Sequence, residues 1–199
     1  MKNLLYLLLM CCPLLAAAQQ DPWDDDTLNA QKVYKNMQEA LQHPDSVFRL
    51  DLSRKKLKEF PVEVFQLKEL RELNLGRNDI EQIPDLIYQL PNLQRLYLNN
   101  NKLKALPQRI GTLKNLELLQ LDRNLIESLP PEIGLLNNLE VLSLWDNELG
   151  DIPDEIKNLG SLKKFELRGI LFNDDEQKRI HDLLPYTTIY FSPSCNCKH

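Results

Sequence analysis

Residues 93–107 read LQRLYLNNNKLKALP. The leucines of this stretch lie at offsets of three, two and five residues, with Asn101 among them. An amphipathic helix repeats its apolar positions about every 3.6 residues and a half-buried strand about every two, so neither fits the spacing throughout. The spacing therefore indicates a short strand that the chain leaves by a sharp turn, rather than one regular element.

The same pattern recurs along the chain with a constant step of 23 residues and without insertion. Its shared form is LxxLxLxxNxL, and the six repeats begin at Val47, Leu70, Leu93, Leu116, Leu139 and Leu162. In five repeats a proline follows, then an apolar residue three positions later and a leucine three beyond; these prolines are Pro61, Pro84, Pro107, Pro130 and Pro153. A repeat of this length stacks one unit on the next, so residues 47–171 are predicted to form a solenoid.

The residue types of the repeat explain how such a coil holds together. In LxL the alternation places both leucines on one face of a strand, and the constant step stacks these strands in parallel, about 4.8 Å apart. The turn out of each strand leaves buried backbone N–H and C=O groups without a ladder partner. An asparagine side chain carries donors and an acceptor, so it can satisfy such groups from one turn to the next. The predicted structural ladder consists of Asn78, Asn101, Asn124 and Asn147.

These motifs resemble the leucine-rich repeat family, in its 23-residue form with an LPxxIxxL second half. The flanking sequence is similar to that of exported bacterial leucine-rich repeat proteins, which tend to have a helix before the repeats and a helix and a strand after them. The resemblance implies an α/β fold, a right-handed leucine-rich repeat solenoid with a parallel concave sheet of six repeat strands. It also implies a helical N-terminal cap and a helix-plus-strand C-terminal cap.

The N-terminal cap is predicted within residues 19–46, as an acidic linker followed by a helix. Residues 27–41 carry Val33, Met37, Ala40 and Leu41 at helical spacing. One apolar stripe of that helix would cover the first repeat, which has no neighbour on its outer side.

The C-terminal cap is predicted within residues 172–191. Asn173 followed by Glu176 matches a helix start in which side chain and backbone cap each other, and Pro185 would end that helix. Residues 187–191 are then predicted to add a last strand at the edge of the sheet.

Residues 1–18 have the composition of a secretory signal peptide. One lysine precedes an apolar run from Leu4 to Leu15, and three alanines then provide the small residues that cleavage requires. A membrane anchor is an alternative, but the run is shorter than the roughly 18 to 20 residues that cross a bilayer. A lipid on Cys11 or Cys12 is another, although neither follows the usual small residue. We expect export to a periplasm, a cell surface or the extracellular medium, without a transmembrane segment.

The tail, residues 192–199, ends in CNCKH. Cys195, Cys197 and His199 could provide three ligands for a soft metal, and the two thiols could react with a partner thiol. Structural zinc sites usually space their cysteines further apart, so a disordered terminus without metal is the alternative. We predict no metal and no other cofactor.

Composition and motifs exclude several classes of function. The 199-residue chain has a net charge of -5, which argues against a protein that binds the phosphate backbone of nucleic acids. The sequence contains no HExxH, GxSxG or glycine-rich phosphate loop, and its three histidines lie in the caps and the tail. We therefore expect neither an enzyme nor a nucleic-acid-binding protein.

The strand side chains that point away from the core form the exposed concave face. Most of them are polar, but Tyr97, Leu118, Val141 and Trp145 lie on neighbouring repeats and are predicted to form one apolar patch. Aromatic anchors in such patches often carry most of the binding free energy. The alternative is that Trp145 folds down merely to cover the sheet. The predicted partner-binding residues are these four together with Arg95, Asp122 and Asp146.

Charge is unevenly distributed around this patch. At their strand and flanking positions, repeats one to three carry Arg49, Arg54, Arg71, Arg77 and Arg95 against Asp51 and Glu72. At the same positions, repeats four and five carry Arg123 against Glu117, Asp122, Glu140 and Asp146. Such a dipole could orient a protein partner, although a mixed solvated surface would give a similar sequence. We predict a monomeric, non-catalytic module that binds a protein or peptide on its concave face. A structural or self-assembling surface protein and a metal or thiol role of the tail are the alternatives.

Overall fold

The computed structural model describes residues 22–193. The predicted signal peptide and the tail residues Cys195, Cys197 and His199 lie outside this range, and their roles remain predictions.

Eight parallel strands form one sheet in chain order. Their bounds are β1 (Val33–Tyr34), β2 (Arg49–Asp51), β3 (Glu72–Asn74), β4 (Arg95–Tyr97), β5 (Leu118–Gln120), β6 (Val141–Ser143), β7 (Lys164–Leu167) and β8 (Thr188–Phe191). From β2 to β7 each residue pairs with its counterpart 23 positions further along, as Leu73 does with Leu96. The six predicted repeat strands are confirmed, and the sheet gains one more strand at each end.

The return segments on the opposite side are short 3₁₀ turns. They span Val62–Gln66, Asp85–Gln89, Gln108–Thr112, Pro131–Leu135 and Asp154–Asn158, and a further 3₁₀ turn, Pro44–Ser46, precedes the first repeat. Each of the five repeat turns follows the proline of its repeat, whose carbonyl accepts the N–H three residues later, at 3.0 Å for Ile110 on Pro107. Proline suits this place because it fixes φ and a first turn needs no donor there.

Successive return segments approach each other very closely. A Cβ atom at Gly134 would lie 2.3 Å from the carbonyl oxygen of Glu155, and one at Gly111 would lie 2.4 Å from that of Glu132. No side chain fits at that distance, so glycine is required where these backbones cross.

The apolar core runs through the whole coil. Leu96, Leu98 and Leu103 of the opening stretch are completely buried, as are their counterparts in the neighbouring repeats. Burying one leucine side chain contributes about 1.5 to 3 kcal/mol, and here each gains that contribution only against the adjacent turns.

The asparagine ladder lies where the pattern predicts it. Asn101 donates to the carbonyls of Leu75 (3.0 Å) and Leu98 (2.9 Å) and accepts the N–H of Ile80 at 3.0 Å. Asn78, Asn124 and Asn147 make corresponding bonds and are equally buried.

A second ladder of asparagines was not predicted. Asn92, Asn115 and Asn138 each donate to a carbonyl 24 residues earlier, at 2.9 to 3.1 Å. They tie each return segment to the one before it.

The prediction of one helix over residues 27–41 is wrong. This region forms two short helices, α1 (Asp25–Asn29) and α2 (Met37–Ala40), with β1 between them. Val33 and Tyr34 favour a strand, and pairing with β2 satisfies their backbone groups. Asn36 then has extended dihedrals and its side chain caps α2 by accepting the N–H of Gln38. Ala40 is buried in the core as expected, whereas Val33 lies on the strand and not on a helix.

The C-terminal cap agrees with its prediction. Helix α3 (Asp174–Leu183) begins with the reciprocal cap, in which Asn173 Oδ1 accepts the N–H of Glu176 at 2.9 Å and Glu176 Oε2 accepts that of Asn173 at 2.8 Å. The buried side chain of Ile180 covers the last repeat. Strand β8 then pairs with β7, one residue shorter than predicted.

Candidate functional site

The concave sheet brings the predicted apolar residues onto adjacent strands. Leu118 of β5 pairs directly with Val141 of β6, and Tyr97 belongs to the neighbouring strand β4. All three side chains are half-buried, and Trp145, just after β6, is 36% exposed. The four residues therefore lie on or just after three adjacent strands, and the indole is the most accessible of their side chains.

Trp145 is held in place by two neighbours. Its ring lies over the guanidinium of Arg123, with 4.3 Å from Cζ to the ring centroid. Its backbone N–H donates to Asp122 Oδ1 at 3.1 Å. An exposed cation–π contact contributes about 0.5 to 1 kcal/mol, enough to favour one ring orientation.

Asp122 is a structural residue rather than an exposed charge. It is buried, and its carboxylate also accepts from the Ser143 hydroxyl and, at 2.8 Å, from Gln120 Nε2. Asp51 and Asn74 also accept a backbone N–H, in each case from the residue two positions later, Ser53 and Gly76 respectively. Asp122 therefore positions Trp145 and does not reach the open surface.

Asp146 does reach the surface, with a side chain that is 62% exposed and lies 3.8 Å from Arg123 Nε. Beyond it, Arg168 makes a two-point contact with the buried Glu166, at 2.6 and 2.9 Å. Lys164 lies 3.9 Å from the same carboxylate. The rim at repeat six therefore carries two cations against one buried acid.

Arg95 is not on open surface either. Only 11% of its side chain is exposed. It pairs with Asp25 and donates to Asn29 Oδ1 at 2.8 Å and to Glu72 Oε2 at 3.1 Å. Glu72 in turn accepts two hydrogen bonds from Arg49, at 2.9 and 3.1 Å. Two of the arginines that suggested a positive half are therefore paired with acidic groups.

Tyr97 lies beside this cluster. Burial raises the pKa of its phenol above the ordinary value, and the nearby carboxylate of Glu72 adds to the effect. The hydroxyl therefore stays protonated at neutral pH and can donate a hydrogen bond.

The contact of residues 22–29 with the first half of the sheet was not predicted from the sequence. Residues 22–29, here called the N-terminal segment, lie across the starts of β2 to β4 and contact Phe48, Arg71, Gln94 and Arg95. Gln94 and Arg71 are completely buried. The available signal was the tryptophan followed by three aspartates at 23–26, opposite a half of the sheet rich in arginine.

Neither a metal site nor a membrane span is found in the part of the chain described. Within residues 22–193, no three His, Cys, Asp or Glu side chains cluster closely enough to hold a metal ion. Over the same range, no helix is both long and apolar enough to cross a bilayer.

Two family models match the chain and together cover its repeats. A leucine rich repeat model matches residues 45–103, and a leucine-rich repeat region model matches residues 96–187. No curated protein matches the sequence.

Solved structures share the fold. A leucine-rich repeat protein of Leptospira interrogans is 36% identical, with a TM-score of 0.66, over 83% of this chain and 49% of its own. The ectodomain of the Arabidopsis thaliana membrane receptor kinase GASSHO1/SCHENGEN3, solved in complex with CASPARIAN STRIP INTEGRITY FACTOR 2, is 32% identical with a TM-score of 0.65, over 80% of this chain and 20% of its own.

An internalin of Listeria monocytogenes, 18% identical with a TM-score of 0.57 over 74% of this chain and 42% of its own, shares the fold alone. This chain thus spans about half the length of the Leptospira protein and less than half the length of the other two. Repeat register, sheet topology and family models agree, and the chain belongs to the leucine-rich repeat family.

Proposed function

We propose that this protein binds a protein or a peptide, without catalysis of its own, through the open part of its concave face. The observation that carries the proposal is that Tyr97, Leu118, Val141 and Trp145 lie on or beside three adjacent strands of an otherwise polar sheet face. An exposed apolar patch with a fixed aromatic ring is typical of an interaction site. Leucine-rich repeat domains are typically protein-binding modules, and the plant ectodomain was solved in complex with another factor.

The size of the open strip from β4 to β7 limits the partner. Its four strands span about 14 Å, and about five residues along each strand span about 16 Å, which gives roughly 230 Å². A standard interface takes about 800 Å² from each partner. A short peptide or one protruding loop therefore fits this surface better than a broad protein face.

The rim adds a preference for charge. Lys164, Arg168 and Arg123 surround the far side of the patch, and Asp146 is the exposed acid among them. A segment that presents an apolar side chain next to an acidic one would complement this surface.

Export is part of the same proposal. It rests on the signal-like sequence of residues 1–18 and on the likeness to a receptor ectodomain. The partner is then expected outside the cytoplasm.

Trp145→Ala tests the site. Peptides are first selected from a displayed random library for binding to the unaltered chain. Their affinity for the Trp145→Ala chain should be lower by about tenfold or more, because the substitution removes the central aromatic anchor. Titration calorimetry measures the loss. Adding Tyr97→Ala should weaken binding further, with some loss of stability because Tyr97 is half-buried.

The matched control is Tyr88→Ala. Tyr88 is 48% exposed and also lies near an arginine, Arg109, but on a return segment. Its loss should leave the affinity unchanged. Equal affinity of the unaltered chain and the Trp145→Ala chain would rule out this site. Light scattering over a concentration series distinguishes a monomeric binding module from a self-assembling protein.

A further inference from the structure

The N-terminal segment, residues 22–29, is bound to the sheet by contacts of three kinds. The first is aromatic. The ring of Trp23 lies 4.7 Å from that of Phe48 between centroids, and the guanidinium of Arg71 lies 4.3 Å from the Trp23 centroid. Phe48 and Arg71 occupy equivalent positions in repeats one and two, so together they form a shallow seat for one aromatic side chain.

The second contact is with the backbone. Gln94 Oε1 accepts the N–H of Trp23 at 3.0 Å, and Gln94 Nε2 donates to the carbonyl of Trp23 at 2.7 Å. Gln94 Oε1 also accepts from Arg71 Nη1 at 3.0 Å, so the amide and the guanidinium hold each other in place. These two bonds involve only backbone atoms of Trp23, so they could form with any residue whose side chain fits the seat.

The third contact is with charge. Asp25 pairs with Arg95, whose guanidinium is also fixed by Glu72. A carboxylate two residues after the aromatic side chain is therefore recognised. Asp26, the next acid along the chain, makes no side-chain bond among the contacts described here.

Within residues 22–193, the segment is joined to the body of the protein at its C-terminal end. Leu28 is completely buried and fixes the end of α1 to the body of the protein. Trp23 is only half-buried, and the side chain of Asp25 is 77% exposed. The residues that make the three contacts can therefore leave the sheet while Leu28 stays in the core.

We propose that Phe48, Arg71, Gln94 and Arg95 form a second binding site, for an acidic segment of a partner protein with an aromatic residue two positions before a carboxylate. In the free protein, residues 22–29 occupy this site as an internal competitor. None of the three contacts requires the bound segment to belong to the same chain. The tether gives the internal segment an effective concentration in about the millimolar range, so an external segment must displace it. This site is separate from the patch around Trp145 and does not depend on it.

A labelled peptide tests the proposal in the full chain. The probe is fluorescein-labelled QDPWDDDTLN, the sequence of residues 20–29. Fluorescence anisotropy should show at least about tenfold tighter binding to the Trp23→Ala, Asp25→Asn chain than to the unaltered chain, because the internal competitor is weakened. Asp25→Asn alone changes an exposed side chain and should give a smaller gain in the same direction. Asp26→Asn is the matched control and should give none.

Substitutions in the peptide show which of its side chains the site recognises. Replacing its tryptophan by alanine, or the aspartate that corresponds to Asp25 by asparagine, should weaken binding about tenfold, whereas changing the aspartate that corresponds to Asp26 should not. Raising the salt concentration from 0.05 to about 0.5 M should weaken binding as well. Trp145→Ala in the protein should have no effect, which separates this site from the open patch.

Three results would overturn the proposal. One is absence of peptide binding to the double variant while its circular dichroism and thermal unfolding match those of the unaltered chain. Another is equal binding of the peptide and of a scrambled version of it. The last is a two-chain complex of the unaltered protein in light scattering, which would assign the site to exchange of residues 22–29 between copies.

Discussion

The two halves of the concave face have the same backbone and different surfaces. Strands β2 to β4 and β5 to β7 share one register and one asparagine ladder. The first half is covered at its strand starts by residues 22–29, and Arg49 and Arg95 are paired there with acidic groups. The second half is open and presents Leu118, Val141 and Trp145. A constant repeat therefore determines where side chains point, while the residues outside the repeat determine which of them are accessible.

The largest effect is expected where the two halves are alike. Asn101→Ala and Asn147→Ala each remove three hydrogen bonds from buried backbone groups, one in each half of the coil. A buried group left unsatisfied costs about 1 to 3 kcal/mol, so each variant should lose about 3 kcal/mol of unfolding free energy. Urea unfolding measures both. A difference of more than about 1 kcal/mol between them would show that the two halves do not share one structural core.

An intermediate effect is expected where the halves differ. Gln94→Leu removes the two bonds to Trp23, the acceptor for Arg71 and the donor to Glu117, and should cost about 2 kcal/mol of unfolding free energy. Glu140 occupies the same place in repeat five, where its only described ion pair is with the exposed Lys163. Glu140→Gln should therefore change stability by less than about 0.5 kcal/mol. Similar losses in the two variants would mean that residues 22–29 contribute little to the covered half.

The smallest effect concerns the boundary between the halves. Burial raises the pKa of Glu117 above its ordinary value of 4.5, against the hydrogen bond from Gln94, which lowers it. A raised pKa means that the folded state binds the proton more tightly than the unfolded state does. The stabilisation is complete below about pH 4.5 and is lost as the pH rises through the folded pKa.

Glu117→Gln removes this dependence. The variant should gain stability relative to the unaltered chain between pH 4 and 7, by less than about 1 kcal/mol because the site is partly solvated. Urea unfolding at the two pH values measures the change. A relative loss on going to pH 7 would show that the hydrogen bond from Gln94 outweighs burial.

The sequence was sufficient for the features that each repeat determines locally. The leucine positions, the ladder of Asn78 to Asn147, and the cap of α3 by Asn173 depend on residues a few positions apart or one repeat away. The second ladder of Asn92, Asn115 and Asn138 obeys the same register, but these asparagines lie outside the repeat consensus LxxLxLxxNxL, so the consensus alone does not predict them.

Other features depended on contacts that no periodicity encodes. Trp23 and Gln94 are 71 residues apart, and nothing in the repeat indicates that a segment before it lies on its third strand. Asp122 lies at a repeat position that points away from the core, yet its carboxylate accepts hydrogen bonds from three donors in its own and the next repeat. The helical spacing over residues 27–41 was real, but backbone pairing with β2 competed with it at Val33 and Tyr34.

The crossing at Gly111 and Gly134 also limits which residues these two repeats can accept. At each position an added Cβ atom would come within 2.4 Å of a carbonyl oxygen of the following return segment. A side chain there would push two neighbouring turns apart. Because the leucines of each repeat are buried only against adjacent turns, such a change should loosen two repeats at once.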